Sequence, residues 1–371
     1  MRGKRKFFSL FLYALCYNRT RIGKAGTRSD QAGPGLDMII TRTPFRMSFF
    51  GGGTDFEEYF KEHGGAVLST TFDKYCYVSV RHLPRFFDYW NEVIYSKIER
   101  VKHTDEIVHP AVRNAMKMKD MHELRISYDA DLPARSGLGT SSSFAVGMLN
   151  AFSALKGKKL SKRQLADEAI YLERVLCAES GGIQDQIAAA FGGMNVITFG
   201  ADGYEVKPVQ VSKKRREMLN DRLMLFFTGF SRLSSLIQEG TSKALKDKTA
   251  ELKEMTALVG EAEKILTDET ADLNEFGRML DHTWKLKRGI AGGISTDSID
   301  GMYAAGIRAG ALGGKLLGAG GGGFLLFYAE PEHQEAVKAA MKDLLYIPFR
   351  FEHEGTVIIH DEMELYEKQD R

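Results

Sequence analysis

Cysteine is scarce in this 371-residue chain, and the three present, Cys16, Cys76 and Cys177, are far apart. That spacing excludes a local disulfide framework and a CxxC metal knuckle, and it fits a reducing compartment. The nine histidines form no HExxH, HxH or Cys/His cluster, so zinc chemistry has no local support. Long apolar runs are also missing. The best candidate, Phe7 to Tyr17 behind Lys4-Arg5-Lys6, has eleven residues, whereas a membrane-spanning helix needs about 20. A strong charge of either sign is lacking too. Residues 1–37 hold eight Lys and Arg and two Asp; removing these from totals of 51 and 49 turns the net +2 of the chain into −4 for residues 38–371. A broad nucleic-acid face is therefore excluded. Two familiar phosphate motifs are absent as well. Around Gly314-Lys315, Ala309 stands where the first Gly of GxxxxGK[ST] belongs and Leu316 where its Ser or Thr belongs. No GxGxxG sits in a βαβ unit with its acidic partner.

What is present is a globular sequence, 43% hydrophobic with 38 glycines, large enough for two domains. The basic segment 1–37 reads as a dispensable leader ahead of a cytoplasmic protein; its resemblance to a signal peptide stops at Asn18-Arg-Thr-Arg, where no small-x-small cleavage site follows. Met38 opens a strand, and Ala66 to Arg81 and Arg125 to Tyr128 add further strand signals. Ser161-x-x-Gln164 is a capping box, with Leu165, Ala169, Leu172 and Leu176 at helical spacing behind it, which puts Glu173 on a helix flank. A hairpin around Ala201-Asp202-Gly203, a charged junction at 213–221, a helical tract over 234–290, and strands at 324–328 and 356–360 follow. Strands and helices on both sides of the junction predict two α+β domains, 38–212 and 213–371.

Three glycine-bearing segments carry the chemistry. Pro133-Ala-Arg-Ser136-Gly137-Leu138-Gly139-Thr140-Ser141-Ser142 precedes a helix, and it reads equally as a polyphosphate cradle or as a Ser-capped helix after a Gly turn. Arg46 and Asp55 flank Gly51-Gly52-Gly53-Thr54; taken alone, this is an ordinary strand-to-helix turn capped by Asp55. The run Gly320 to Gly323 costs backbone entropy, which suggests close approach of a ligand or of another chain segment.

In this order the three segments resemble the signature motifs of the GHMP small-molecule kinases, over essentially all of 38–371. Within that family Arg42-Thr-Pro-Phe-Arg46-Met-Ser-Phe-Phe-Gly-Gly-Gly-Thr-Asp55, Gly64-Gly-Ala-Val-Leu-Ser, Asp73-Lys-Tyr and Gly310-Ala-Leu-Gly-Gly-Lys-Leu-Leu-Gly-Ala-Gly-Gly-Gly-Gly-Phe324 are most similar to the D-glycero-D-manno-heptose 7-phosphate kinases, then to fucokinases. The resemblance implies an N-terminal domain like ribosomal protein S5 domain 2, a ferredoxin-like C-terminal domain, and ATP and Mg²⁺ as cofactors. It places ATP on Pro133 and Ser136 to Ser142, Mg²⁺ on Ser141 and Glu173, and catalysis on Asp185 assisted by Arg46. Galactokinase-like motifs carry a Glu-His pair where Gly52-Gly53 stand here, so the pocket is enlarged and Asp55 is left to bind hydroxyls. Sugar contacts are expected from Gly52, Gly53, Thr54, Asp55, Gly182, Gly320 and Gly321. The segments Thr228-Gly-Phe-Ser-Arg232 and Trp284-Lys285-Leu-Lys287-Arg288 hold the candidates for a distal phosphate, Arg232, Lys285 and Arg288 foremost, with a solvated basic helix face the alternative for at least two of the four cations. The implied partner is a small sugar phosphate, with neither nucleic acid nor membrane. Phosphorylation of the anomeric hydroxyl of a heptose 7-phosphate is the expected reaction. Another sugar 1-kinase such as a fucokinase, a non-catalytic sugar and ATP sensor, and a diphosphate decarboxylase are the alternatives.

Overall fold

The computed structural model describes residues 38–84, 86–134, 136–229, 240, 242 and 247–362. The leader 1–37 and Arg232 lie outside the described residues. Strand β1, Met38–Phe50, is 13 residues long and buried from Thr43 onward. It pairs antiparallel with β2, Gly65–His82, and its register shifts at Pro44/Phe45, where proline has no N–H for the ladder. The long β2 serves two neighbours: its second half pairs with β5, Leu124–Ala130, and its first half with β6, Met194–Gly200. Strands β3, Asn91–Ile94, and β4, Ile98–Val101, extend the sheet beyond β5, and β7, Gly203–Pro208, closes the expected hairpin with β6.

The helix Thr140–Leu155 lies across β1 and β2 with fourteen of its sixteen residues buried. Gly147 permits that approach, because a Cβ there would lie 2.7 Å from Thr43 Oγ1. The capping box at Ser161 forms as expected. Its helix, Lys162–Ile170, then widens into a π-helical turn, Tyr171–Leu176, that carries Glu173 inward rather than along a flank.

The second sheet orders as β11-β8-β10-β9 and is antiparallel throughout: β8 is Leu223–Gly229, β9 Gly313–Leu316, β10 Gly323–Tyr328 and β11 Leu345–Ile347. Helices Thr249–Thr267, Asn274–Arg288 and Asp297–Arg308 accompany it, and Trp284 is fully buried. The helical tract is thus interrupted over 268–273. The charged stretch expected as a junction is itself a helix, Lys213–Arg222, capped by Ser212. Segment 213–371 supplies strands to both sheets, since β12, Phe351–Glu352, pairs with β2 and β13, Val357–Asp361, pairs with β1. The architecture is the mixed helix and sheet arrangement expected from the sequence.

Candidate active site

The end of β1, the glycine turn after it and the glycine loop before β10 converge on one cavity. Arg46, 5% exposed, projects from β1 and grips Asp185 in bidentate fashion: Nε donates to Oδ1 and Nη2 to Oδ2, both at 2.7 Å. Nη1 donates to Gly137 O at 2.8 Å, and the backbone N–H of Arg46 donates to Leu138 O. One guanidinium therefore fixes both a carboxylate and the Ser136–Gly139 loop.

That loop is pressed against the glycine loop of the second sheet. A Cβ on Gly318 would lie 2.2 Å from Gly137 Cα, and one on Gly323 would lie 2.3 Å from Ser136 O. Close approach of another chain segment is thus the reason for these glycines. The helix Thr140–Leu155 starts from Gly139 in a left-handed conformation, with no side-chain cap. The Ser-capped reading is therefore corrected: no side chain caps this helix N-terminus. Ser136 Oγ instead donates to Pro133 O at 2.7 Å. Glu173 accepts Ser141 Oγ and Ser142 Oγ at 2.7 Å each, and also Gln186 Nε2. Of the residues Thr140 to Ser143, Ser141 alone is exposed.

Asp55 is 2% exposed and accepts the N–H groups of Gly53 at 3.0 Å and Gln184 at 3.2 Å. Burial first, and the Asp185 carboxylate second, push its pKa above the ordinary value for Asp. It does not cap the helix Glu57–His63, whose N-cap is Phe56. Gly182 faces it so closely that a Cβ would lie 1.9 Å from Asp55 Oδ2.

Arg46, Gly52, Gly53, Asp55, Gly182 and Asp185 all line the cavity, as the sequence suggested. Other expected residues do not. Thr54 is fully buried, with Oγ1 2.8 Å from Gly51 O and 2.9 Å from Ala66 O, so it staples the turn. Gly320 is packed on the Ile294 backbone, and Gly321 donates its N–H to Ile294 O; Gly318 and Ala319 line the cavity in their place. Lys285 points outward and pairs with Asp281 at 2.6 Å, while Arg288 pairs with Asp300 at 2.8 Å. Neither lines the cavity.

Lys287 and Lys315 do line it, together with Ser48, Arg174 and Gln184. A sequence signal existed for Lys287. Phe276, Leu280, Thr283 and Trp284 form the buried stripe of its helix, and Lys287 continues that spacing. Its Nζ donates to Gly318 O. Burial, with Arg46 nearby, lowers its pKa to about 8.

The chain matches two family models, the GHMP kinases N terminal domain over residues 106–193 and the GHMP kinases C terminal over 262–347. It is 31% identical over 335 residues to the D-glycero-alpha-D-manno-heptose 7-phosphate kinase of Campylobacter jejuni, covering 86% of this chain and 98% of that protein. The L-fucokinase/L-fucose-1-P guanylyltransferase of Bacteroides fragilis is 27% identical over 227 residues, 58% of this chain but only 23% of that larger protein. Among solved structures, a D-glycero-D-manno-heptose 1-phosphate kinase from Bacteroides thetaiotaomicron shares the fold with a TM-score of 0.64 at 24% identity, over 87% of this chain and 99% of that one. Galactokinase from Lactococcus lactis, complexed with galactose, shares it with a TM-score of 0.66 at 16% identity, over 86% and 95%. No helix among the described residues is long and apolar enough to cross a membrane. The chain belongs to the GHMP kinase family, as a sugar kinase: an ATP-dependent phosphotransferase whose acceptor is a hydroxyl group.

Proposed function

We propose that this kinase transfers the γ-phosphoryl group of ATP to the anomeric hydroxyl of D-glycero-D-manno-heptose 7-phosphate, giving the 1,7-bisphosphate. The observation that carries this reading is the near end-to-end match to a heptose 7-phosphate kinase. The acceptor cavity agrees with it: Gly52 and Gly53 leave space beside Asp55 where galactokinase-like motifs carry two polar side chains. Residues 38–212 would then form the nucleotide-binding domain, and 213–371 the C-terminal domain.

In this reading Asp185 meets the acceptor hydroxyl. The bidentate Arg46 contact aligns the carboxylate and places a cation beside the phosphoryl group in transfer. Asp55 holds a neighbouring sugar hydroxyl. Ser136 to Ser142 surround the ATP phosphates at the uncapped helix end. Ser141 and Glu173 fit Mg²⁺, because they bring together two hard oxygen donors, and Ser142 and Gln186 hold the other carboxylate oxygen. When bound there, Mg²⁺ would neutralise charge on the ATP phosphates.

The test is ADP release measured with heptose 7-phosphate, fucose, galactose and mevalonate as acceptors. Turnover is expected with the phosphorylated heptose. Turnover of fucose or mevalonate with none of the heptose phosphate would overturn the assignment.

A further inference from the structure

The cavity that Asp185 lines also holds two lysine amines with no carboxylate in contact among the described residues. Lys315 is 1% exposed, and its Nζ donates to Phe49 O at 2.7 Å. Lys287 reaches the same cavity from the helix Asn274–Arg288, with Gly318 O as its acceptor. An ammonium has three donors, and a backbone carbonyl uses one of them. The two nearby carboxylates are already engaged, Asp185 by Arg46 and Asp55 by two backbone N–H groups. Burying positive charge without a counter-charge is unfavourable, and a second cation alongside makes it more so. Burial, Lys287 and Arg46 all push the Lys315 ammonium toward its neutral form. A wall of this kind is stabilised by an anion that arrives from outside.

Unsatisfied polar groups accompany the charges. Among the described residues, Ser48 Oγ and Gln184 Oε1, on residues 6% and 8% exposed, have no hydrogen-bond partner, and neither has Arg174 Nε. All three residues line this cavity. Buried polar atoms are ordinarily paired, so the cavity is shaped for a ligand that carries hydroxyls as well as negative charge.

We propose that Lys287 and Lys315 form a phosphate seat in the acceptor cavity, with Ser48 and Gln184 binding hydroxyls of the sugar alongside. The proposal rests on the reading of this chain as a sugar phosphate kinase and replaces Lys285 and Arg288 as cationic contacts. A phosphate can reach the seat from two sources, as the acceptor's own ester or as the group in transfer.

Binding of inorganic phosphate, measured calorimetrically on the full chain with ADP present to occupy the nucleotide loop, tests the seat without turnover. Lys287→Met is expected to weaken phosphate binding by about tenfold or more, whereas Lys287→Arg retains it. Should the methionine variant fail to fold, Lys287→Gln removes the same charge. Kinetics then identify the source. A raised KM for heptose 7-phosphate, with the KM for unphosphorylated heptose unchanged, marks the acceptor's ester; a kcat loss with both acceptors marks the group in transfer. Ser48→Ala should raise KM with either acceptor. Phosphate affinity, kcat and KM of Lys287→Met all within about twofold of wild type would overturn the seat, even with heptose 7-phosphate turned over. Conversely, Lys287-dependent phosphate binding with no turnover of any sugar phosphate would leave the seat standing and defeat the reading of the substrate.

Discussion

The two flanks of the active site treat charge in opposite ways. On the proposed nucleotide flank, Glu173 is held by two serine hydroxyls and a glutamine amide, and Asp185 is clamped by Arg46. On the proposed acceptor flank, the hydrogen-bond partners of Lys287 and Lys315 among the described residues are backbone carbonyls, and Ser48 and Gln184 keep atoms unpaired there. A group already hydrogen-bonded is held in place before any ligand arrives. An unpaired one is available to a ligand and gains its partner only on binding. The first flank is thus built for alignment, and the second for recognition.

That contrast can be broken most severely at Asp185. Asp185→Asn should keep ATP binding and lower kcat by about 10²–10⁴-fold, read from ADP release alongside nucleotide titration; near-wild-type turnover would remove Asp185 from the chemistry. A smaller loss is expected at Glu173. Glu173→Gln should raise the Mg²⁺ concentration for half-maximal activity by about 10–100-fold, while an unchanged Mg²⁺ requirement would make the hydrogen-bonded cluster purely architectural. The mildest probe is pH. Lys287 faces Arg46, Asp55, Asp185 and Lys315, and its pKa is lowered to about 8. The ammonium is therefore intact below that value and lost as pH rises through it. KM for the phosphorylated acceptor should climb above pH 8, by at most about tenfold per pH unit, and Lys287→Arg should flatten the rise because a guanidinium keeps its proton. An identical profile in that variant would assign the titration to another group.

Much of the alignment flank is legible in the sequence, because glycines and hydroxyls in fixed order report backbone constraints. Arg46 pairs with Asp185, and Ser141 with Glu173. The recognition flank is harder to read. Lys285, Lys287 and Arg288 look alike in the sequence, and only the phase of the buried stripe through Trp284 separates the inward lysine from its paired neighbours. Thr54 and Gly320 stay out of the cavity lining for a similar reason: each is consumed by local packing, against Ala66 and Ile294, that no short motif discloses. In the fold, β2, β5 and the hairpin follow from alternation and turn residues, and the helix Lys162–Ile170 from its capping box. The π-helical turn at Glu173 is invisible to a 3.6-residue period, and the short strands β9, β11 and β12 are too brief to show one.

The pairing of β1 with β13 has a consequence for the order of synthesis. The strand that carries Arg46 has one neighbour, β2, that follows closely in the chain, but its other neighbour comes some 300 residues later; Thr43 Oγ1 bonds Thr356 Oγ1 at 2.9 Å across that separation. At typical ribosomal rates the interval is on the order of 15–60 s. During that time the outer edge of β1 has no partner from its own chain and is open to strands of other nascent molecules. A nascent chain halted before residue 357 would therefore have every residue of the proposed site and an unguarded edge at the start of β1.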